Sequence, residues 1–230
     1  MRRDDQVLVF DADDTLWENN IRFERAIDAF LAEVAPFAPD RAAARAVLDG
    51  VEAANSAAHG YGSEVFRLSL GEAFALLAHR PPGPAELDRF AALAATVTSA
   101  EVELIDGVAE TLPALAARHH VLLLTKGDRA EQQAKLDASG LLGHFRSVHI
   151  EPEKDLPTYR RLIDGQALAP ERTWMIGNSP KSDILPARAA GLNAVFIPHQ
   201  HTWSLDDAAL DPADTGVLRL SAFAELGEHF

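Results

Sequence analysis

Three acidic residues, Asp11, Asp13 and Asp14, lie close together near the start of the chain. They directly follow the apolar run Val7–Phe10, which predicts a short buried strand because it is too brief for a helix. Neighbouring carboxylates repel one another, so the cluster needs a cation, a shared proton or full solvation. A divalent metal is the simplest solution, and oxygen ligands favour Mg2+ over softer ions. One carboxylate is then left to act as a nucleophile, which indicates phosphoryl-transfer chemistry.

Further polar groups follow three later apolar runs. They are Thr125, Lys126 and Gly127 after residues 121–124, Lys154 after 148–150, and Asn178 with Asp183 after 173–176. In a parallel α/β sheet the carboxyl ends of the strands meet at one edge, where such folds bind ligands. We therefore expect these side chains to lie near Asp11 and Asp13. Four strand ends that agree are a more specific signal than any single motif.

The elements that must position these residues form an α/β pattern from residue 102 onward. Short apolar runs, including a fourth at 194–197, alternate with segments of helical character. The predicted helices cover residues 108–118, 128–139, 158–165 and 182–190. This alternation predicts a doubly wound parallel sheet, which the strand at 7–10 must join because no other strand is near it.

Residues 17–99 are different, because they are Ala-rich and contain no convincing strand. Four amphipathic helices are predicted near residues 23–34, 40–51, 65–77 and 85–97. Short connections between them indicate a small helical bundle. The predicted organisation is an α/β core of residues 1–16 and 100–230, interrupted by a helical insert of residues 17–99.

Composition excludes several classes of partner. The chain of 230 residues has 21 Lys and Arg against 35 Asp and Glu, a formal net charge of -14. This balance disfavours binding to nucleic acid and to anionic membranes. Since there is no Cys, a disulfide or a Cys nucleophile is excluded. We find no signal-peptide pattern and no apolar stretch of about 20 residues, so we expect a cytoplasmic protein without a membrane segment. The sequence leaves the oligomeric state open, and a monomer is compatible with it.

The four motifs together resemble those of the haloacid dehalogenase-like (HAD) hydrolase superfamily. Asp11–Thr15 resembles the first motif (Asp-x-Asp-x-Thr), Thr125 the second and Lys154 the third. The segment Gly177-x-Ser-x-x-x-Asp183 resembles the fourth. The layout is similar to the phosphoglycolate phosphatase-like branch, in which a helical cap is inserted where residues 17–99 stand. The resemblance implies a Rossmann-like core beneath such a cap.

This resemblance implies a role for each matched residue. Asp11 would attack phosphorus and form an aspartyl-phosphate. Asp13 would act as general acid and then as general base. Thr125 would bind a phosphoryl oxygen, and Lys154 would neutralise charge on the nucleophile and the phosphoryl group. Mg2+ would be held by Asp11, the backbone carbonyl of Asp13, Asp183 and waters.

Asn178 departs from the family pattern, because it stands where the family most often has an acid. Its amide oxygen would still bind the cation or a metal-bound water, but it adds no charge. We therefore expect Mg2+ binding to be weakened but retained.

Other residues are expected at the border of the site. Lys126 and Gly127 are predicted substrate contacts. Tyr61, in a glycine-flanked break between two predicted helices, is either a substrate contact or an ordinary loop residue. His199 and His201 have no third soft ligand beside them, so hydrogen-bonded roles are expected. Separately, we expect Asp14 to bind local backbone amides or to cap the next turn.

The function predicted on this basis is a Mg2+-dependent phosphatase of a small phosphorylated metabolite. Three alternatives stay open. A phosphomutase differs only in keeping water from the aspartyl-phosphate. A haloacid dehalogenase would need neither Asp13 nor a metal. A non-catalytic module that binds phosphorylated ligands is compatible with Asn178.

Overall fold

The computed structural model describes residues 3–98 and 101–230, which divide into two units. The α/β unit lies within Met1–Asn20 and Glu101–Phe230, and the helical unit lies within Ile21–Ala100. Trp17, which was predicted to begin the insert, is buried in the core of the α/β unit. The backbone of Trp17 forms an antiparallel β-bridge with Leu104 there, and Glu18 donates its backbone N–H to the carbonyl of Glu103. The α/β unit therefore extends a few residues beyond Leu16.

The α/β unit contains one six-stranded parallel sheet in the order β3-β2-β1-β4-β5-β6. The strands are β1 (Val7–Phe10), β2 (His120–Lys126), β3 (Ser147–Glu151), β4 (Thr173–Gly177), β5 (Asn193–Phe196) and β6 (Val217–Arg219). The predicted fold class is confirmed, and β1 lies at the centre. The edge strand β6 was not predicted, since it has only three residues, of which two are partly buried and Arg219 is exposed.

The centre of the sheet is apolar on both faces, as parallel sheets covered by helices require. Leu8 and Phe10 pack into one core cluster, and Val9 packs into a second with Tyr159. Phe10 is paired with Leu123 of β2 and with Ile176 of β4. The first residue after β1 therefore emerges between the ends of two neighbouring strands.

Five α-helices among the described residues belong to the α/β unit. They are α5 (Val108–Ala116), α6 (Arg129–Ser139), α7 (Leu156–Gln166), α8 (Leu185–Ala189) and α9 (Leu226–His229). Asp128 caps α6 by accepting from the backbone N–H groups of Ala130 and Glu131. The helix predicted over 182–190 is interrupted, because a π-helical turn over Pro180–Ile184 precedes α8.

The helical unit contains α2 (Arg41–His59), α3 (Ser63–Ala78), α4 (Pro84–Val97) and most of α1 (Asn20–Val34). Their apolar faces form one buried cluster around Phe30, Phe74 and Phe90. Asp40 caps α2 through the backbone N–H of Ala43 at 2.8 Å. Among the described residues, no helix has both the length and the apolar character needed to cross a membrane.

Candidate active site

Asp11 is the first residue beyond β1 and is almost fully buried. Its backbone N–H donates to the carbonyl of Ile176 at 2.9 Å, which continues the pairing with β4 for one more residue. Its Oδ2 accepts from Thr15 Oγ1 at 3.0 Å. Its Oδ1 accepts from Lys154 Nζ at 2.5 Å. The backbone and both carboxylate oxygens of Asp11 are therefore fixed in place.

Lys154 joins two buried carboxylates. Its side chain is 1% exposed, and its ammonium contacts both Asp11 and Asp183. Burial alone would lower the pKa of Lys154, but the charges of Asp11 and Asp183 outweigh it and raise that pKa. Burial and the nearby Asp11 raise the pKa of Asp183, against the opposing effect of Lys154. The ammonium thus stays charged next to Asp11.

The π-helical turn Pro180–Ile184 brings Asp183 back against the end of β4. Asp183 Oδ2 accepts from the backbone N–H of Ser179 at 2.9 Å. Asp183 also lies so close to Gly177 that a Cβ there would come within 2.2 Å of Asp183 Oδ2. Tyr159, on α7, donates to the carbonyl of Ser182 at 2.9 Å. Gly177 and Tyr159 therefore shape the turn that directs Asp183 to Lys154.

Two oxygen atoms converge on the hydroxyl of Thr15. Asp11 Oδ2 lies 3.0 Å and Asn178 Oδ1 lies 3.3 Å from Thr15 Oγ1. Thr15 has one hydroxyl proton, so it can donate to only one of these oxygens at a time. Asn178 Nδ2 donates to Thr202 Oγ1 at 3.0 Å, which turns the amide oxygen toward Asp11. This all-oxygen set, with one formal negative charge, fits a hard divalent cation.

Asp13 is held by three donors that come from two parts of the chain. Lys135 Nζ lies 2.6 and 2.7 Å from its two oxygens. Trp17 Nε1 donates to Oδ1 at 2.7 Å, and Gln132 Nε2 donates to Oδ2 at 2.9 Å. Burial alone would raise the pKa of Asp13, but Lys135, Gln132 and Trp17 together lower it. These donors therefore hold both oxygens of Asp13 in place.

Thr125 lies at the end of β2 and is buried beside Gln132. Its Oγ1 accepts from Gln132 Nε2 at 3.0 Å, which leaves its own hydroxyl proton to be donated elsewhere. Gly127 follows with φ 139°, and a Cβ at Gly127 would lie 3.2 Å from Gln132 Nε2. A side chain at this position would be strained and would press on Gln132.

Lys126 turns toward the segment that follows β5. Its ammonium lies 2.8 Å from Ser182 Oγ and 2.8 Å from Asp206 Oδ1. It also lies over the ring of Trp203, at 5.9 Å from the centroid. These contacts give Lys126 a structural role, and its predicted substrate contact stays a prediction.

Tyr61 is in the helical unit, between α2 and α3, and its predicted role as a substrate contact stays a prediction too.

Asp14 accepts hydrogen bonds from local backbone amides, as predicted. Its Oδ1 receives the N–H groups of Asn19 at 2.9 Å and Asn20 at 3.0 Å. Burial raises the pKa of Asp14 to about 7, although the two amides oppose this. His199 lies between Asp14 and Glu18, with its Nε2 3.2 Å from Glu18 Oε1. These three residues place oxygen and nitrogen atoms within 4.8 Å of one another, a spacing compatible with a metal.

His199 also has hydrogen-bond partners that explain its position without a metal. Its Nδ1 accepts from the backbone N–H of His201 at 3.3 Å. In that tautomer Nε2 carries the proton and donates to Glu18. These contacts agree with the hydrogen-bonded role predicted for His199.

Comparison with known proteins identifies the class to which this fold and site belong. A family model described as haloacid dehalogenase-like hydrolase matches residues 6–191. The match covers most of the chain, so the chain belongs to the haloacid dehalogenase-like hydrolase family. The resemblance predicted from the four motifs is confirmed, and the protein is a hydrolase of this family.

One sequence relative and two solved structures are particularly informative. A phosphoserine phosphatase from Thermus thermophilus is 36% identical over 80 residues, covering 33% of this chain and 32% of that protein. The chain thus matches about a third of that curated relative. A haloacid dehalogenase-like family hydrolase from Xanthomonas campestris has a TM-score of 0.83 at 27% identity, covering 98% of this chain and 94% of that chain. A predicted phosphoglycolate phosphatase from Haemophilus somnus has a TM-score of 0.64 at 18% identity, covering 97% of each chain, and so shares the fold.

Proposed function

We propose that this hydrolase is a Mg2+-dependent phosphatase that acts on a small phosphorylated metabolite through an aspartyl-phosphate on Asp11. The observation that carries the proposal is the setting of Asp11. One of its oxygens is bound to the buried Lys154, and the other lies beside Thr15 and Asn178. A fixed carboxylate with a cation on one side is suited to attack phosphorus, an atom surrounded by negative oxygens. The phosphoserine phosphatase relative supports the same class of substrate.

The reaction proceeds in two steps on these residues. In the first, an Asp11 oxygen forms a bond to phosphorus while the bond from phosphorus to the leaving oxygen breaks. Asp13 passes a proton to that oxygen and becomes a carboxylate. In the second, Asp13 takes a proton from a water molecule whose oxygen attacks phosphorus, which frees Asp11 and releases phosphate. Lys135 stabilises the carboxylate that the first step produces and the second step uses.

Two residues stabilise the charge that develops on the phosphoryl group. Lys154 neutralises part of it on the side of Asp11. Thr125 donates its hydroxyl proton to a phosphoryl oxygen, because Gln132 already occupies the oxygen of that hydroxyl. Positioning and electrostatic stabilisation of this kind account for most of the catalysis in phosphoryl transfer.

Asp11 Oδ2, the backbone carbonyl of Asp13 and Asn178 Oδ1 would hold Mg2+. The bound ion supplies positive charge to the phosphoryl oxygens and to the nucleophile. Asp183 was also predicted as a ligand, and that role stays a prediction. One of its oxygens contacts Lys154 and the other accepts from the backbone N–H of Ser179, so Asp183 also supports the site through Lys154.

The proposal is tested by replacing Asp11 with Asn. Phosphate release from 4-nitrophenyl phosphate is measured with Mg2+ and with EDTA, and a panel of phosphorylated metabolites then locates the substrate. The Asp11→Asn protein should lose at least about 10³-fold in kcat/KM, and EDTA should abolish the activity of the unmodified protein. Asp88→Asn, at an exposed position of α4, is the control and should keep full activity.

The outcomes of this assay separate the alternatives. Retained activity in Asp11→Asn contradicts the proposal. Transfer of phosphate between positions of one sugar, without release, identifies a phosphomutase. Halide release from a 2-haloacid identifies a dehalogenase, and binding without turnover identifies a ligand-binding module.

A further inference from the structure

Helix α6 presents two polar side chains to the acidic residues that follow β1. Gln132 and Lys135 are three positions apart, so they lie on the same face of the helix. Both side chains reach Asp13, which is more than a hundred residues away in the chain. The helix starts directly after the β2 end that carries Thr125, and Asp128 caps its first turn. The face with Gln132 and Lys135 is thereby fixed to the end of the sheet.

Lys135 binds Asp13 more closely than a surface ion pair requires. Its ammonium lies 2.6 and 2.7 Å from the two oxygens of Asp13, and its side chain is 19% exposed. The same ammonium lies 3.0 Å from Asn19 Oδ1. With Trp17 Nε1 and Gln132 Nε2, these contacts place two donors on each oxygen of Asp13. The plane of that carboxylate is therefore set by its partners.

Gln132 connects Asp13 to the group predicted to bind phosphoryl oxygen. Its Nε2 lies 2.9 Å from Asp13 Oδ2, 3.0 Å from Thr125 Oγ1 and 2.7 Å from the carbonyl of Lys126. Its Oε1 is buried and has no hydrogen-bond partner among the described residues. An unsatisfied buried acceptor is unfavourable. Packing alone would favour an apolar side chain at this position, so the amide points to a role in the site.

We propose that Gln132 and Lys135 are positioning residues that hold the Asp13 carboxyl group in place for proton transfer to and from substrate. The inference rests on the proposed function, in which Asp13 transfers protons. Gln132 fixes one oxygen of Asp13 relative to Thr125, and Lys135 fixes both oxygens. Their contribution to kcat/KM should therefore be larger for substrates whose leaving oxygen requires protonation.

The test compares two substrates of similar shape. The leaving oxygen of 4-nitrophenyl phosphate is stabilised by the nitro group and needs little protonation, whereas that of phenyl phosphate depends more on an acid. In Lys135→Met and Gln132→Met, we expect kcat/KM for phenyl phosphate to fall by about 10²-fold, which is within the range for general-acid catalysis. For 4-nitrophenyl phosphate we expect a loss at least about tenfold smaller.

Two control variants match these changes. Gln133→Met alters the neighbouring residue, whose side chain contacts Asp137 on the same helix. Lys181→Met removes an ammonium that contacts the carbonyl of Leu205. Both controls should keep the ratio of the two kcat/KM values unchanged.

Equal losses on both substrates in Lys135→Met and Gln132→Met would overturn the inference, because a general loss of structure does not distinguish leaving groups. Asp11→Asn is measured in parallel. If it loses activity while the two α6 variants lose activity equally on both substrates, the inference fails but the proposed function stands. If Lys135→Met does not fold, Lys135→Gln takes its place, because it also removes the positive charge from Asp13. A crystal structure of the variant provides a readout without activity: Asp13 should leave Gln132, and an unmoved Asp13 carboxylate contradicts the inference.

Discussion

The two units of this chain bury charged side chains in different ways. In the α/β unit, Asp11 and Asp183 are buried against the same ammonium, that of Lys154. In the helical unit, Glu52 is also buried, but its Oε2 has no hydrogen-bond partner among the described residues. Burial, reinforced by the charge of Asp49, raises the pKa of Glu52 to about 7. In the first arrangement Lys154 opposes the rise that burial causes in the pKa of Asp183, whereas among the described residues no hydrogen-bond donor reaches Oε2 of Glu52.

This difference indicates that the α/β unit, and not the helical unit, is organised to hold ionised groups in its interior. Ionised groups held together in the interior are costly unless each has a partner. The α/β unit provides such partners from separate strand ends, and they converge on Asp11. Glu52 receives no comparable support, so we interpret it as a buried acid that protonation stabilises.

The largest effect is expected from removing the shared cation of the α/β unit. Lys154→Met leaves Asp11 and Asp183 buried without their common partner. We expect the free energy of unfolding to fall by about 3–5 kcal/mol and kcat to fall by about 10²–10³-fold. Urea unfolding and 4-nitrophenyl phosphate turnover measure the two effects. An unchanged unfolding midpoint would show that the buried pairs do not stabilise the unit.

A smaller effect is expected from displacing one member of the same group. Gly177→Ala places a Cβ within 2.2 Å of Asp183 Oδ2, so Asp183 must move away from its present position. We expect a loss of about 1–3 kcal/mol in the free energy of unfolding, typical of overpacking, together with reduced kcat.

Gly165→Ala is the matched control, because a Cβ at Gly165 in α7 meets no atom within 4 Å. It should stabilise the protein by about 0.5–1 kcal/mol, since glycine is unfavourable within a helix. Equal responses of Gly177→Ala and Gly165→Ala in thermal unfolding would contradict the close approach of Asp183.

Adding a charge to the α/β unit should affect the metal rather than the fold. Asn178→Asp supplies a carboxylate beside Asp11, and we expect Mg2+ to bind about tenfold more tightly, because affinity rises with ligand charge. Calorimetric titration with Mg2+ measures this directly, and the Mg2+ dependence of turnover should shift with it. Asn193→Asp, at the start of β5, is the control. Unchanged Mg2+ affinity in Asn178→Asp removes Asn178 from the metal site.

The smallest effect is expected from neutralising Glu52, the buried acid of the helical unit. The folded-state pKa of Glu52, about 7, lies above its ordinary value of 4.5. The folded protein therefore binds more protons than the unfolded chain between these values, and its stability falls as the pH rises through that window.

Glu52→Gln should reduce this pH dependence, to which Asp14 and Asp183 also contribute, and should stabilise the protein at pH 8 by about 1 kcal/mol. Urea unfolding at pH 5 and pH 8 provides the comparison. The same pH dependence in both proteins would show that Glu52 is not its source.

Much of the α/β architecture was predictable because its signals are local. The apolar run at β1 is followed at once by Asp11 and Asp13, and the alternation of strands and helices implies a parallel sheet. These features place Asp11 and Thr125 at one edge without any knowledge of distant contacts. The short strand β6 escaped prediction because it has little apolar sequence of its own.

The partners of the site residues were harder to predict, because they depend on which face of an element points inward. Lys135 and Gln132 read as ordinary polar residues of a helix until α6 is placed beside β1. Their spacing of three positions on the helix after Thr125 was the one available signal. The π-helical turn before α8 likewise directs Asp183 to Lys154, which a regular helix over 182–190 did not suggest.

The central claim is that Asp11 becomes phosphorylated, and chemical trapping of that residue tests it most directly. The protein is mixed with 4-nitrophenyl phosphate and Mg2+, quenched in acid during turnover, and reduced with borohydride, which converts an aspartyl-phosphate to homoserine. Mass spectrometry should find homoserine at position 11 and aspartate at position 13. Turnover without modification of Asp11, or modification of another carboxylate instead, would contradict the account.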